Sequence, residues 1–285
     1  MSIMKFKIFL ILLLTCSAFA FSQKKSEKGF INAKYKCTYS IKYINDTIKM
    51  THGTEDHFIL LIGDDLTYGY SYLAYREDSL MNAPNGLKKY YESFNDAVNN
   101  GAFRNLYSSH LMHTRLYKDY KKKKINVLDR FSRFFFIWEE DLLPQTWSLQ
   151  DDTMTIAGYN CQKAECDYRG RSYEAWFASE IPIDEGPWKF NGLPGLIMKL
   201  YDTKHHYEFE LVGLKRTDEK ININPLLTKK ITGVLSWDLK ETDRLTFLKT
   251  IFGERGDAIL SVETAKFGIT HTPVVRAYGY IELDY

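Results

Sequence analysis

The sequence lacks an excess of charge of either sign and, beyond its first 20 residues, it lacks any long apolar run. It carries 38 Lys and Arg against 36 Asp and Glu, a formal net charge of +2. Removing the first 20 residues takes away Lys5 and Lys7 and brings this charge to zero, so no overall field favours nucleic acid or anionic lipid. No later segment approaches the ~20 apolar residues that a membrane helix needs. We therefore expect no nucleic-acid partner and no transmembrane segment in the mature chain.

Cysteine is also scarce. The four cysteines of the chain are Cys16, Cys37, Cys161 and Cys166. If the first 20 residues are removed, the remaining odd number cannot pair completely within one chain. This argues against a scaffold held together by disulfides. Two alternatives stay open, namely a disulfide from Cys37 to one of the other two cysteines, or buried free thiols.

Catalytic sequence motifs are missing as well. The chain has no G-x-S-x-G elbow, no H-E-x-x-H, no P-loop and no G-x-G-x-x-G. His110 and His113 lie three residues apart and His205–His206 are adjacent, but neither pair has a third ligand at metal-site spacing. We expect no catalytic residue, no metal and no cofactor, although Asp184–Glu185 leaves a carboxylate site open.

The first feature that is present is a three-part leader. Lys5 and Lys7 form a basic start, Ile8–Leu14 is an unbroken apolar run, and Ala18–Ala20 reads A-F-A. This is the layout of a secretory signal that is cleaved after Ala20. The alternative is a lipoprotein signal at Leu13–Cys16, in which threonine is a poor residue before the modified cysteine. We predict an exported protein of the periplasm or outer membrane, or one that is secreted.

Residues 21–285 are predicted to form a single, mainly β domain. Aromatic residues make up 15% of the chain, and its alternating runs are rich in residues that suit a pleated sheet. These runs are Ala33–Tyr43, His57–Ile62, Phe131–Trp138, Leu196–Tyr201 and Tyr207–Leu214. Helical spacing occurs at Leu87–Ala97 and at Asp238–Phe252, the second with Ser236 or Asp238 as a cap. We predict an α+β, mainly β fold, in which one or two helices cover a strongly curved antiparallel sheet or half-open barrel.

A hairpin is predicted between Tyr159–Tyr168 and Arg171–Ala178, with Arg169 and Gly170 at its turn. Strand alternation then places one set of side chains in the core and sends Lys163, Glu165, Glu174 and Trp176 to the other face. The expected core set is Ala164, Cys166, Tyr168, Tyr173, Ala175 and Phe177. In this register Lys163 pairs with Trp176.

The stretch Ile181–Ile197 interleaves glycine, proline and large apolar residues more densely than any other part of the chain. Pro194 and Gly195 suit the central positions of a type II turn. One interpretation is a rigid strap whose aromatic residues plug one end of the sheet. The other is a pocket mouth that holds an apolar or peptide ligand. The candidate ligand-binding residues are Trp176, Trp188, Phe190 and Leu193, and the candidate structural residues are Gly186, Pro187, Gly192, Pro194, Gly195, Leu196 and Ile197.

Gly192–Ile197 reads G-L-P-G-L-I, and the chain resembles the GLPGLI family that is named for this hexapeptide. Similar stretches stand in order around it, namely Gly158–Ala164, Gly170–Ala178, Glu180–Ile183 and Gly186–Phe190. The strong resemblance covers about Ile156–Asp202. A final I-E-L at Ile281–Leu283 also matches, although Gly279–Tyr280 replaces the Asn-Pro of the family. The resemblance implies an exported protein of Bacteroidota without an established activity.

These observations favour a non-catalytic binding or carrier protein of the cell envelope. The predicted fold resembles periplasmic lipoprotein carriers at the level of architecture alone. The concave face of the sheet would hold an apolar, lipid-like ligand or a polypeptide segment. Two alternatives stay open, an envelope hydrolase acting on peptides and an interaction module of an outer-membrane transport assembly. A pocket that gathers two carboxylates, or three His, Asp or Glu groups, would favour the hydrolase.

Overall fold

Strands dominate the computed structural model, which describes residues 29–46, 51–52, 55–86, 88–89, 92, 96, 113–131, 134–222, 239–252 and 281–284. The strands are β1 (Phe30–Asn32), β2 (Tyr35–Asp46), β3 (Thr51–His52), β4 (Asp56–Ile62), β5 (Leu66–Ser71), β6 (Arg115–Asp119), β7 (Lys124–Phe131), β8 (Phe134–Asp141), β9 (Ser148–Ile156), β10 (Tyr159–Tyr168), β11 (Arg171–Ala178), β12 (Leu196–Asp202), β13 (Tyr207–Arg216), β14 (Lys220–Asn222) and β15 (Leu239–Glu241). The helices with described bounds are α1 (Tyr72–Asn82) and α2 (Arg244–Phe252), and residues 86, 88, 89, 92 and 96 are also helical. The predicted leader lies outside the described residues.

One large curved sheet contains most of the strands. Its order is β15-β8-β7-β6-β5-β4-β2-β13-β12-β11-β10-β9, while β3 pairs with β2 and β1 pairs separately with β14. Within this order the end strands β15 and β9 do not meet, so the sheet is open. The mainly β prediction with one or two helices is confirmed. The pairing is antiparallel except at β15, which runs parallel to β8. A long chain separates these two strands, and a parallel pair requires such a crossover.

The β10–β11 hairpin has the predicted bounds, and Lys163 pairs with Trp176 as expected. Arg169 and Gly170 have φ values of 51° and 79°, as a two-residue type I′ turn requires at both positions. The predicted core set is buried, apart from the partly buried Tyr168. In contrast, the predicted strand Phe131–Trp138 is correct only for Phe134–Trp138, which lies in β8, because Phe131 ends β7 and pairs with Phe134. Alternation alone gives no signal for that reversal.

The helices differ more from the predictions. Helix α1 follows β5 directly and was not predicted, although Ser71 caps it by accepting from the N–H of Ala74. Helix α2 occupies only the second half of the predicted Asp238–Phe252, because Asp243 caps it by accepting from the N–H of Thr246 at 2.9 Å. Ser236 and Asp238 lie outside the described residues, as does most of the predicted helix Leu87–Ala97. No helix of the described ranges is long and apolar enough to cross a membrane.

The three cysteines outside the leader are free thiols and all are buried. Burial raises the pKa of Cys37 to about 12, with a smaller contribution from the charge of Glu185. Burial also raises the pKa of Cys166 to about 12. These thiols are therefore uncharged at neutral pH and act as small apolar side chains of the core.

Strand β9 forms an exposed edge, because its described residues pair with β10 alone. Thr153 pairs with Gln162 and Leu149 pairs with Ala164, so residues 150–152 bulge outward opposite a single residue of β10. The bulge carries two exposed aspartates, Asp151 and Asp152. Bulges and charges are the features by which natural edge strands avoid pairing with other chains.

We expect the substitutions Asp151→Asn and Asp152→Asn together to promote self-association through β9. Two like-charged edges repel when they meet, and removing that repulsion strengthens pairing by about tenfold. Analytical ultracentrifugation over a concentration series measures the effect. Asp64→Asn with Asp65→Asn is the control, since it removes two charges from the β4–β5 turn. Equal self-association of the two double variants would contradict the role of Asp151 and Asp152 in preventing strand pairing at the β9 edge.

Candidate functional site

The loop of residues 181–197, called here the 181–197 loop, joins β11 to β12. Its final turn is not the predicted type II turn. The N–H of Gly195 donates to the carbonyl of Leu193 at 2.8 Å, which makes a three-residue turn centred on Pro194. A Cβ on Gly195 would lie 2.2 Å from the carbonyl oxygen of Ala178. Glycine is therefore required by the close approach of the chain leaving β11.

Three of the four candidate ligand-binding residues lie together in the core. Trp188, Phe190 and Leu193 are all buried. The ring of Phe190 lies edge-on to Tyr173, with centroids 4.7 Å apart, and Tyr168 makes similar contacts with Phe190 and Trp188. Trp188 has a φ of 54°, which is costly for a large side chain and is held by this packing. The observed arrangement is that of a strap, and ligand binding by these side chains stays a prediction.

Trp176 belongs to the same hydrophobic core as the other three candidates, but it lies on strand β11 and not in the loop. It pairs with Lys163 of β10 and Lys199 of β12. Strand alternation directs it to the face opposite Ala175. The structure therefore does not bring the four candidate residues into one site.

The predicted structural glycines are explained by close contacts. A Cβ on Gly186 would lie 2.5 Å from the Cδ1 of Ile197. Gly192 has a φ of 92°, and its N–H donates to the side chain of Asp184. A Cβ on Gly192 would lie 2.8 Å from the Cβ of Pro144. Both positions therefore lack room for a larger residue.

The other structural candidates anchor the loop to itself and to the sheet. The carbonyl of Pro187 accepts from the N–H of Phe190 at 3.2 Å. The N–H of Leu196 donates to the carbonyl of Ile181 at 3.0 Å, so the two ends of the loop are joined. Leu196 and Ile197 are fully buried in β12.

A buried lysine of strand β6, Lys118, binds the 181–197 loop through its ammonium group. The ammonium of Lys118 on β6 lies 2.8 Å from Oε2 of Glu185, and it donates to the carbonyls of Phe190 at 2.9 Å and Gly186 at 3.3 Å. The hydroxyl of Tyr120 donates to Oε1 of Glu185 at 2.6 Å. The three donors of the ammonium and both carboxylate oxygens are thus satisfied, which a buried ion pair requires.

The carboxylate pair Asp184–Glu185 does not form one site. Asp184 accepts from Gly192 at the outer side of the loop, whereas Glu185 points inward. Burial and then the charge of Glu185 raise the pKa of Tyr120, so this hydroxyl stays protonated as a donor. The two carboxylates therefore serve separate structural roles.

A second buried lysine lies at the tip of the loop. The ammonium of Lys189 contacts Glu140 of β8, and it lies 2.5 Å from Oε1 of Glu282. It also lies 5.0 Å from the ring centroid of Trp188. Burial would lower the pKa of Lys189, but Glu282 and Glu140 raise it overall. The lysine is therefore charged and bridges two carboxylates.

Glu282 belongs to the short segment Ile281–Asp284, which lies in a cleft. The cleft, called here the 281–284 cleft, is formed by the residues that contact this segment, namely Arg169, Gly170, Arg171, Tyr173, Lys189 and Arg244. Hairpin, strand, loop and helix α2 each supply part of it. A Cβ on Gly170 would lie 3.0 Å from the backbone N of Asp284, so the turn glycine lets the segment pass closely.

The backbone of the segment is bound at three points, one of which is the carbonyl of Asp284, which accepts from Nη2 of Arg244 at 3.3 Å. The carbonyl of Ile281 accepts from Nε of Arg171 and from the hydroxyl of Tyr173, each at 3.2 Å. The N–H of Leu283 donates to the carbonyl of Arg169 at 2.8 Å. The cleft thus recognises main-chain groups on both sides of Glu282.

The acidic side chains of the segment meet three cations. Nη1 of Arg244 lies 2.7 Å from Glu282 and 2.7 Å from Asp284, and Nη2 lies 3.0 Å from the second oxygen of Asp284. Arg169 lies 3.6 Å from Asp284, and it also pairs with Glu140. Lys189 also pairs with Glu282, so the carboxylates of Glu282 and Asp284 both have positively charged partners. The geometry suits recognition of an acidic polypeptide segment.

A further buried charge cluster lies between α1 and the strands β6 and β7. Nη2 of Arg130 lies 3.0 and 3.1 Å from the two carboxylate oxygens of Glu77, and 2.9 Å from Nε2 of His113. The hydroxyl of Thr114 donates to Asp129 at 2.6 Å. The carboxylate of Glu77 is held by the guanidinium, which is the pattern of a structural ion pair.

The histidine pairs do not form metal sites in the part of the chain that the structure describes, and no group of three or more His, Cys, Asp or Glu is placed there to hold a metal. His110 lies outside that part. The ring of His205 stacks on Tyr201, with centroids 4.8 Å apart. Nδ1 of His206 lies 3.0 Å from Nη1 of Arg171. Both residues therefore have local roles.

Sequence reasoning missed the charged residues of the cleft and Lys118, the lysine that binds the 181–197 loop. Lys189 stands between Trp188 and Phe190, and Glu282 stands between Ile281 and Leu283. A single charge between large apolar residues indicates a buried pair, and this signal was available. No comparable signal marks Lys118, which reads as the solvent-facing residue of a strand.

Comparison with known proteins gives a family match over a short part of the chain. Residues 169–199 match a family described as "Protein of unknown function (Porph_ging)". This segment contains the hairpin turn, the 181–197 loop and Lys189. The GLPGLI name, given on residues 192–197, stays a prediction. No curated protein matches the chain significantly.

The fold is similar to solved structures of PNGF-II in two crystal forms. Each has a TM-score of 0.46 and 15% sequence identity over 78% of this chain. The chain spans about a third of those proteins, 34% in one and 33% in the other.

Proposed function

We propose that this chain is an exported, non-catalytic binding protein that holds a polypeptide segment in the 281–284 cleft. One observation carries the proposal, namely that the cleft already holds Ile281–Asp284 through both its backbone and its acidic side chains. Contacts of this kind, in which main-chain bonds give affinity and side chains give specificity, are typical of peptide recognition. Export is inferred from the leader at residues 1–20.

A polypeptide has more support than a lipid-like ligand. The apolar side chains of the 181–197 loop pack against the sheet, and Phe247 of α2 packs against Trp138 with ring centroids 4.8 Å apart. In the described residues this core face is therefore filled by the protein itself. The cleft, by contrast, is lined by cations and offers the backbone carbonyl of Arg169, groups that suit a polar chain.

The hydrolase alternative draws on the cluster of Glu77, His113 and Arg130, which places a histidine beside a carboxylate. The guanidinium of Arg130 takes up the carboxylate of Glu77, so the cluster has less support as a catalytic site. A module of an outer-membrane transport assembly would use the same cleft, and would differ only in the partner that supplies the segment.

The substitutions Glu282→Gln and Asp284→Asn in the full chain should weaken the binding of its own segment in the cleft. We expect a labelled peptide with the wild-type sequence of residues 279–285 to bind this variant. The hydrogen bonds and ion pairs of residues 281–284, set against the cost of ordering a short peptide, suggest a Kd on the order of 10 µM. Fluorescence anisotropy measures it. Adding Arg244→Gln should abolish binding, whereas the control Arg76→Gln on α1 should not. Absence of binding to the folded variant would contradict the proposal.

A further inference from the structure

We infer that the 281–284 cleft selects segments with carboxylates at alternate positions, and that residues 281–284 act as a built-in competitor which a partner's segment must displace. The inference rests on the proposed function, because it presumes that the cleft binds polypeptide. It adds the chemical class of the partner and a regulatory role for the chain's own segment.

The spacing of the two carboxylates is set by one guanidinium. Nη1 of Arg244 lies 2.7 Å from Glu282 and 2.7 Å from Asp284, which are two residues apart. Lys189 then holds the first carboxylate and Arg169 lies near the second. A neutral residue at either position would leave two of these cations with one carboxylate partner fewer, and such a loss in a partly buried site is costly.

The two carboxylates differ in burial, and the more buried position should require an acidic residue more strictly. The side chain of Glu282 is 2% exposed and that of Asp284 is 37% exposed. Ile281 is also buried, whereas Leu283 is 39% exposed. A partner segment therefore needs an apolar residue followed by a buried acid, while its third residue is free to vary.

The charge of the cleft excludes basic segments. Apart from the segment itself, the carboxylate that Arg169, Lys189 and Arg244 face among the described residues is that of Glu140. Without the segment the three cations and Glu140 carry a net charge of +2, and the carboxylates of Glu282 and Asp284 neutralise it. A lysine or arginine in the segment would meet these cations and be repelled.

The segment is bound by few backbone contacts, which allows exchange. Its amide contact is the bond from Leu283 to Arg169. Its carbonyl contacts are those of Ile281 with Arg171 and Tyr173, and that of Asp284 with Arg244 at 3.3 Å. A short segment of this kind opens locally without global unfolding. Because it is tethered, its effective concentration is on the order of millimolar. A partner segment therefore competes poorly unless the tethered one is weakened.

The test compares the wild-type chain with the Glu282→Gln, Asp284→Asn variant against three labelled peptides. Their central residues are I-E-L-D, I-Q-L-N and I-K-L-K. We expect the acidic peptide to bind the variant at least tenfold more tightly than it binds the wild-type chain. We also expect the variant to bind the acidic peptide tenfold more tightly than it binds the neutral peptide. The basic peptide should not bind, and binding of the acidic peptide should weaken as salt is added.

The outcomes separate the inference from the proposed function. Equal binding of acidic and neutral peptides would overturn the partner class while leaving polypeptide binding in place. Equal binding to wild type and variant would overturn the competitor role. If no peptide binds either chain, the proposed function fails as well.

Hydrogen exchange on the wild-type chain keeps the inference testable should the variant fold poorly. The amide of Leu283 should exchange by local opening, well before the core amides of β10 and β11. Exchange of this amide only on global unfolding would show that the segment is a permanent part of the fold, and would overturn the competitor role.

Discussion

Replacing Lys118 by methionine is expected to lower the free energy of unfolding by about 3–5 kcal/mol. The substitution keeps most of the length of the side chain but removes its ammonium group and charge. Glu185 would remain buried without its cation, and the carbonyls of Gly186 and Phe190 would lose their donor. Urea denaturation followed by tryptophan fluorescence measures the change. We expect the 181–197 loop to be the part of the fold that is most affected.

The control is Lys121→Met, three residues away and also paired with a carboxylate. The side chain of Lys118 is 0% exposed, whereas that of Lys121 is 74% exposed beside Asp65. Water screens an exposed ion pair, so this variant should be nearly as stable as wild type. Adding Glu185→Gln to Lys118→Met should recover part of the loss, because the buried charge is then gone. Equal stability of the two lysine variants would contradict the structural role of Lys118.

Local features of the fold were predictable because neighbouring residues determine them. The β10–β11 hairpin follows from Gly170 at the turn and from alternation on either side. Its register needed no other part of the chain. Helix α1 was missed for the opposite reason. The run Leu66–Ser71 alternates as a strand and passes directly into the helix, and a single capping serine is a weak signal.

The candidate site was harder to predict, because distant residues build it. Arg169, Lys189, Arg244 and Glu282 converge on one cleft although more than a hundred positions separate the first from the last. Sequence spacing carries no record of such a contact. The importance of Gly195 was predictable from composition, but its reason was not, since the limiting contact is with Ala178 across the end of the loop.

Replacing Trp188 by alanine is expected to lower the free energy of unfolding by about 3–5 kcal/mol. The ring is 1% exposed and packs against Tyr168 and Phe190. Its loss would leave a cavity beside Lys189, whose ammonium would also lose an aromatic neighbour. For a domain of this size the melting temperature should fall by roughly 10 °C. Thermal unfolding followed by circular dichroism measures the shift.

Two controls connect this result to the choice between strap and pocket. Trp188→Phe should lose less stability, because a smaller ring keeps part of the packing against Tyr168. Leu143→Ala should change stability by less than about 0.5 kcal/mol, because Leu143 is 66% exposed. If Trp188→Ala folds as stably as wild type, the ring is not a structural plug. A pocket function for the 181–197 loop would then be the better interpretation, and a loss of ligand retention in that variant would support it.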